Sequence, residues 1–400
     1  MSKDTDVVIV SAARTAIGTF GGTLREVRAH QLAAHVMVEV LKRDNNLDPN
    51  VISDVIVGDC LQNVDEANTA RVAALAAGIP HQVTAFTVQR NCASSMQALI
   101  SGTQQILCQD SDVVLVAGVD SMSSGPYYMD KARWGMRLRN QEVIDSVWEA
   151  LHSGSRLLGE DMIMGITAEN IAEKDDISRE DQDQVALESN NKAEAAIKAG
   201  LFAEEIVPME VSGDRGESVV FLQDEHPRFG LSIEDLAKLK PVFKKDGTVT
   251  AGNSSGINDG AAAAVIMTRK RAKDLGLTPL ARIVSHSIAG VDPHYMGYGP
   301  VPATEKVLKK AGMTLKDVQL IELNEAFAAQ YLACERKLGI DRDITNVNGS
   351  GISLGHPVGC TGLRIVVTLV YEMIRRDVNV GLATLCVGGG MGMATIVARE

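Results

Sequence analysis

Short apolar runs alternate with stretches of helical periodicity along most of the chain. Residues 7–10 and 55–58 are continuous apolar runs of the kind that form strands buried on both faces. Residues 13–22 read as a glycine-punctuated loop, and 32–41 and 70–77 as helices. A β-prone run at 83–88 leads to Cys92, after which Met96, Leu99, Ile100, Ile106 and Leu107 recur at helical spacing. Residues 112–118 form another strongly apolar strand. This alternation predicts an α/β fold: a largely parallel sheet with helices on both faces.

The texture changes between 122 and 257, which holds both tryptophans, many charges and no comparable succession of strands. Residues 167–174 and 179–199 read as amphipathic helices, the second opened by Ser178 with Asp181 at capping-box spacing. The charge run 173–183 reads as a solvated helix face. Core texture resumes with strands at 260–267, 281–286, 319–322, 344–347 and 381–387, and helices at 303–311, 326–338 and 361–375. The apolar strands at 112–118 and 380–388 resemble each other, and each follows a helix launched from a glycine- or cysteine-bearing turn. One α/β unit therefore reads as duplicated. The expected organisation is an N-terminal half at 1–121 with 258–278, a loop domain at 122–257, and a C-terminal half at 279–400.

Composition narrows the function classes. Four hundred residues, 45% of them hydrophobic, supply ample core without a metal or disulfide. A formal charge of −12 argues against nucleic acid or an anionic membrane as the main partner. The six cysteines, at 60, 92, 108, 334, 360 and 386, form no C-x-x-C pair, so reduced thiols in a cytoplasmic protein are the expectation. The N-terminus enters a strand without an apolar leader, no apolar run approaches a membrane span, and the last residues, Ala398-Arg399-Glu400, are not a peroxisomal address.

Four places carry candidate chemistry. Cys92 sits near a helix N-terminus, where free N–H groups and the helix dipole favour a thiolate. Asn324 ends a strand and, taken alone, reads as a helix cap. His356 lies in the rigid turn Gly355-His356-Pro357, with little side-chain bulk around it. Cys386 ends a buried strand before Gly388, Gly389 and Gly390, whose backbone N–H groups can approach an oxyanion. A dinucleotide-binding loop fails there, because an apolar run and not a helix follows the glycines.

These segments resemble the thiolase family over essentially the whole chain. Supporting stretches are Ser11-Ala-Ala-Arg-Thr-Ala-Ile-Gly18, Thr167-Ala-Glu-Asn170, Thr248-Val-Thr-Ala-Gly-Asn253, Asn258-Asp-Gly-Ala261 and Gly297-Tyr-Gly-Pro-Val-Pro302. The resemblance implies duplicated α/β halves in five αβαβα layers, an inserted loop domain and a homotetramer built as a dimer of dimers. It makes Cys92 the acylated nucleophile, His356 its base and Cys386 the acid/base at the α-carbon of the second substrate. Asn324 would hold an oxyanion-hole water, and the N–H groups of Cys92 and Gly388 would form the other oxyanion hole. Coenzyme A would meet Arg228 and Ser255, with Phe243, Met164, Met296 and Phe327 lining its tunnel. No cofactor or metal is implied, and CoA is substrate and product.

The implied reaction is a reversible Claisen condensation of two acetyl-CoA to acetoacetyl-CoA and CoA, of the kind used in fatty acid metabolism. Met164, Met296 and Phe327 favour this short-chain reading; Cys360-Thr361 resembles the longer-chain degradative branch. Ser95 replaces the family's usual glycine, and Ile163 stands where short-chain biosynthetic members often carry histidine. Decarboxylating ketoacyl synthases and hydroxymethylglutaryl-CoA synthases are rivals that Cys386 with its glycine run argues against. A non-catalytic acyl-CoA-binding scaffold is the reading from another class.

Overall fold

A computed structural model describes residues 3–43, 46–213 and 216–400. In the N-terminal part, β1 (Val7–Thr15) is followed by α1 (Ala29–Arg43), β2 (Asp54–Asp59), α2 (Thr69–Ala76), β3 (Thr84–Val88), α3 (Ser94–Leu107) and β4 (Val113–Ser121). Beyond β4 come short pieces and two longer helices, α4 (Met164–Lys174) and α5 (Arg179–Lys198). The core then continues with β5 (Asn258–Thr268), β6 (Ala281–Gly290), α6 (Pro300–Ala311), β7 (Leu320–Leu323), α7 (Ala328–Leu338), α8 (Val358–Arg376), β8 (Val380–Val387) and β9 (Met391–Arg399).

These strands run in the order β7-β8-β9-β6-β1-β5-β4-β2-β3. The two sides repeat. β1 pairs antiparallel with β5, β5 antiparallel with β4, and β4 parallel with β2; β6, β9, β8 and β7 repeat that series. Even the bulge recurs, between Ile9 and Ser11 in β1 and between Ile283 and Ser285 in β6. The sheet is therefore mixed, not largely parallel as expected, because β5 and β9 each run back between their neighbours. β9 does so through the tight turn that follows Val387.

Strand alternation distributes the apolar side chains between layers. Ala262, Ala264 and Ile266 of β5 face the cluster that contains α3 and α8; Ala261, Ala263, Val265 and Met267 face the one that contains α1. Both faces are buried, which is why these strands read as unbroken apolar runs. The outer face of the second half packs on α6 and α7 in a third cluster. α3 and α8 thus share the central layer, and the site lies at their N-terminal ends.

Two expectations fail locally. The loop expected at 13–22 begins later, because β1 continues to Thr15, with Ala13 paired to Ala263 and Arg14 to Ala262. The strand expected at 344–347 is a 3-10 turn (Arg342–Ile344) followed by two isolated parallel bridges, Thr345 to Ile321 and Val347 to Gly349. Asn346 is the reason: its φ is +47°, and its amide side chain takes the Leu323 N–H at 2.9 Å and donates to Leu323 O at 2.8 Å. A side chain replaces the ladder there. The Ser178 cap forms as read, its hydroxyl accepting the Asp181 N–H at 3.0 Å.

Candidate active site

Cys92 stands two residues before α3, on a turn held by its neighbours. Asn91 has a φ of +42° and donates its side-chain amide to Gly388 O at 2.8 Å, tying the turn to the end of β8. The Ser94 hydroxyl donates to Asn91 O at 2.7 Å and accepts the Arg90 N–H at 2.9 Å. Below it the helix presses on two strands. A Cβ on Gly58 of β2 would lie 2.2 Å from the Ser94 backbone, and one on Gly118 of β4 2.1 Å from Ser95 Cβ. Only glycine permits that approach.

The N–H groups expected to favour a thiolate are present at this helix end, and burial opposes them. Burial pushes the Cys92 thiol up to about 11, although the N–H groups of Gly388 and of Cys92 itself face it and pull it down. Desolvation outweighs two backbone donors, so the sulfur needs a base. His356 can be one. It is buried in the turn before α8, its own N–H donating to Asn258 Oδ1 at 2.9 Å. Burial, aided by the Arg364 guanidinium, holds the imidazole down at about 3, so the ring is neutral.

Its tautomer follows from Thr361, one turn into α8. The Thr361 hydroxyl spends its single proton on Pro357 O at 2.8 Å and contacts His356 Nδ1 at 2.6 Å. An oxygen that has donated its proton can only accept here, so Nδ1 carries the hydrogen. Nε2 is left with a lone pair. Sequence reading used Thr361 only as a branch marker; its position four residues after Pro357, one turn apart in a helix, was the available signal.

Cys386 lies at the end of β8, fully buried against Met296, Phe327 and Ala326, with its thiol raised well above the usual range by burial and by Cys92. The following Gly389 and Gly390 have φ values of +83° and +84°, the left-handed conformation glycine adopts freely. Asn324 is not a helix cap: α7 begins at Ala328 and its cap position is Phe327. The Asn324 side chain is wholly buried, and neither Oδ1 nor Nδ2 has a protein partner. Buried amides are normally satisfied, so a water or ligand atom belongs beside it.

Cys92 and His356 open into one cavity of about 400 Å³, lined mostly by apolar atoms. Arg228, Phe243, Ser255, Met164, Met296 and Phe327, the six residues that the family resemblance assigns to CoA, all line it, whereas Cys386, Asn324 and Gly388 are absent from its lining. Gly388 nevertheless lies close to it, since a Cβ there would meet Met164 Sδ at 3.3 Å. Arg228 is exposed and, among the described residues, makes no ion pair; its guanidinium contacts Ala251 O at 3.5 Å. Cys60, Trp148 and His226 also line the cavity and were not singled out in the sequence. Among the described residues there is no cluster of metal-ligating side chains.

Comparison with known proteins agrees with this geometry. The family model of the thiolase N-terminal domain matches residues 7–270, and that of the thiolase C-terminal domain matches 277–399. An acetyl-CoA acetyltransferase of Pseudomonas aeruginosa is 49% identical, over 99% of this chain and 100% of its own. A beta-ketothiolase of Cupriavidus necator is 47% identical, over 98% and 99%. The crystal structure of the Bacillus anthracis acetyl-CoA acetyltransferase superposes with a TM-score of 0.95 at 51% identity, covering 99% of each chain. Human mitochondrial 3-ketoacyl-CoA thiolase in complex with CoA gives 0.94 at 42% identity, covering 99% of this chain and 98% of that one. Full-length similarity in sequence and fold, around a cysteine–histidine cavity, places the chain in the thiolase family of acyltransferases.

Proposed function

We propose that the protein is an acetyl-CoA C-acetyltransferase that works by a ping-pong mechanism. The observation that carries it is the convergence of Cys92 and His356 on one apolar cavity, with Cys386 packed against its Met296 and Phe327 walls. His356 Nε2 takes the Cys92 proton, and the sulfur attacks the thioester carbonyl of acetyl-CoA. The N–H groups of Cys92 and Gly388 receive the developing oxyanion. Cys386 gives its proton to the departing CoA sulfur and is left as a thiolate. It then removes the α-proton of a second acetyl-CoA, whose enolate oxygen lies at His356 and at a water on Asn324. The enolate carbon attacks the acetyl group, and Cys92 leaves and recovers its proton from His356. Every proton is returned, so no metal or organic cofactor is required.

Arg228 meets the charged nucleotide end of CoA, and Ser255 the pantetheine. Phe243, Met164, Met296 and Phe327 enclose the pantetheine and a short acyl chain. A longer-chain 3-ketoacyl-CoA substrate is the second reading, favoured by Cys360-Thr361. Radiolabelled acetyl-CoA should leave label on Cys92, and C386A should still acquire that label, more slowly because CoA must then leave as a thiolate, while condensation falls by about 10²–10⁴-fold. A folded protein that takes no label overturns the proposal. Thiolysis of short-, medium- and long-chain 3-ketoacyl-CoA separates the two readings.

The domain division at 121/122, 257/258 and 278/279 belongs to the same proposal, as do a cytoplasmic location and a role in fatty acid metabolism. So does a homotetramer. It is supported by exposed apolar side chains such as Trp134 and Leu138, 80% and 97% accessible in one chain, and by the outer edge of β3, which pairs with no strand among the described residues. Light scattering of wild type against W134S/L138S tests it; an unchanged mass for the variant overturns this face as the contact.

A further inference from the structure

Beneath the Cys92 and His356 turns lies a buried acid pair that the acyl-transfer scheme does not use. Asp59 ends β2, and Asp120 stands next to last in β4. Asp120 Oδ1 accepts the Leu61 N–H at 2.9 Å, and its Oδ2 accepts the Gly359 N–H. Leu61 lines the cavity with Cys92; Gly359 is the second residue of α8, three beyond His356. One carboxyl group therefore ties together the two segments that flank the thiol. The fit is close, since a Cβ on Gly359 would lie 2.5 Å from Val119 O and 2.8 Å from Cys60 N.

Asp59 supplies the second half. Its Oδ2 accepts the Thr69 hydroxyl at 2.6 Å, while its buried Oδ1 has no donor. The Asp59 and Asp120 side chains face each other within hydrogen-bonding reach. Two buried carboxyl groups in contact repel unless a proton lies between them. Burial, with the Glu66 charge behind it, pushes Asp59 up to about 6, while burial and the neighbouring Asp59 push Asp120 well above the usual carboxylate range. The other titratable groups they act with are Glu66, Cys60, Cys92 and Cys360, and none of the strongest influences on the pair is a cation.

We infer that Asp120, sharing one proton with Asp59, is a positioning residue that holds the start of α8, and with it the His356 turn, against the Cys92 turn. Its kinetic consequence rests on the acyl-transfer reading above. The inference predicts a split between two nearly isosteric variants. In D120N one oxygen acceptor becomes an amide donor, so either Leu61 or Gly359 loses its partner. In D59N the new amide donates to an ionised Asp120, and both ties survive.

D120N is expected to lower kcat for acetoacetyl-CoA thiolysis by about tenfold or more, with KM within about twofold, whereas D59N stays within about threefold of wild type. Alkylation of Cys92 by iodoacetamide at neutral pH should slow in D120N and not in D59N, a readout that needs no turnover. Infrared difference spectra of wild type minus D59N should show the loss of one protonated-carboxyl band. A wild-type alkylation rate in D120N, equal impairment of D59N and D120N, or no lost band overturns the inference. Should D120N fail to fold, a D59N that alkylates slowly or keeps the band overturns it equally. An inactive wild-type protein would instead overturn the acyl-transfer reading and leave the alkylation and infrared arms in force.

Discussion

Cys92 and His356 are both neutral at rest, with the thiol up at about 11 and the imidazole down at about 3. The protein is not poised as a thiolate–imidazolium pair. Alkylation of Cys92 is therefore expected to rise with pH well beyond neutrality, and a plateau below pH 7 would contradict this picture. The histidine also makes stability depend on pH. An unfolded histidine titrates near 6.5 and this one near 3, so between those values the unfolded chain binds the extra proton. Stability is whole above 6.5 and falls as pH drops towards 3, by up to about 1.4 kcal/mol per pH unit from this group. H356N should flatten the dependence of Tm on pH in that window; an unchanged slope would show that other groups carry it. Thr361 belongs to the same scale. T361V removes the acceptor for Nδ1–H and is expected to lower kcat by about 10- to 100-fold, with T361S restoring most of it. Equal losses in both variants would assign Thr361 to packing alone.

Between elements, the helix that follows Cys92 is held to the helix that follows His356 by a residue that departs from the family pattern. The Ser95 hydroxyl donates to Cys360 O at 2.9 Å and accepts the Leu363 N–H at 2.8 Å, so α3 is bonded to α8 directly beneath the site. S95G leaves a buried N–H and carbonyl without that partner and should cost about 1–3 kcal/mol in urea unfolding. G118A drives a methyl group into Ser95 and should cost about 1–3 kcal/mol or more, with a loss of activity because the Cys92 turn must move. Most elements were legible in the chain because their apolar residues are local and periodic. Strand 344–347 was not, because the Asn346 side chain takes the Leu323 hydrogen bonds a strand would have made, and that partner lies 23 residues away. The mixed direction of the sheet was equally hidden, since an apolar run has no orientation.

Across the whole molecule, the region between β4 and β5 is anchored to the core by a buried charge cluster. Arg14 of β1 is fully buried and bonds Glu205 at 2.6 Å and Asp224 at 2.7 and 2.9 Å. R14A would strand two buried carboxylates and is expected to destabilise the protein by about 3–5 kcal/mol in denaturant unfolding; a cost below 1 kcal/mol would mean the carboxyls simply take up protons. Local chemistry was enough to identify the apolar runs, the glycine turns beside Cys386 and His356, and the residue types suited to thioester exchange. These depend on neighbours within a few positions. The donors at the helix end are local and were legible, whereas the burial that opposes a thiolate at Cys92 depends on packing from distant segments. The tautomer of His356, the orphaned amide of Asn324 and the shared proton of Asp59 and Asp120 likewise arise only when distant segments exclude water from one another. The chain carried the reactive groups in its order of residues, and folding set their protonation.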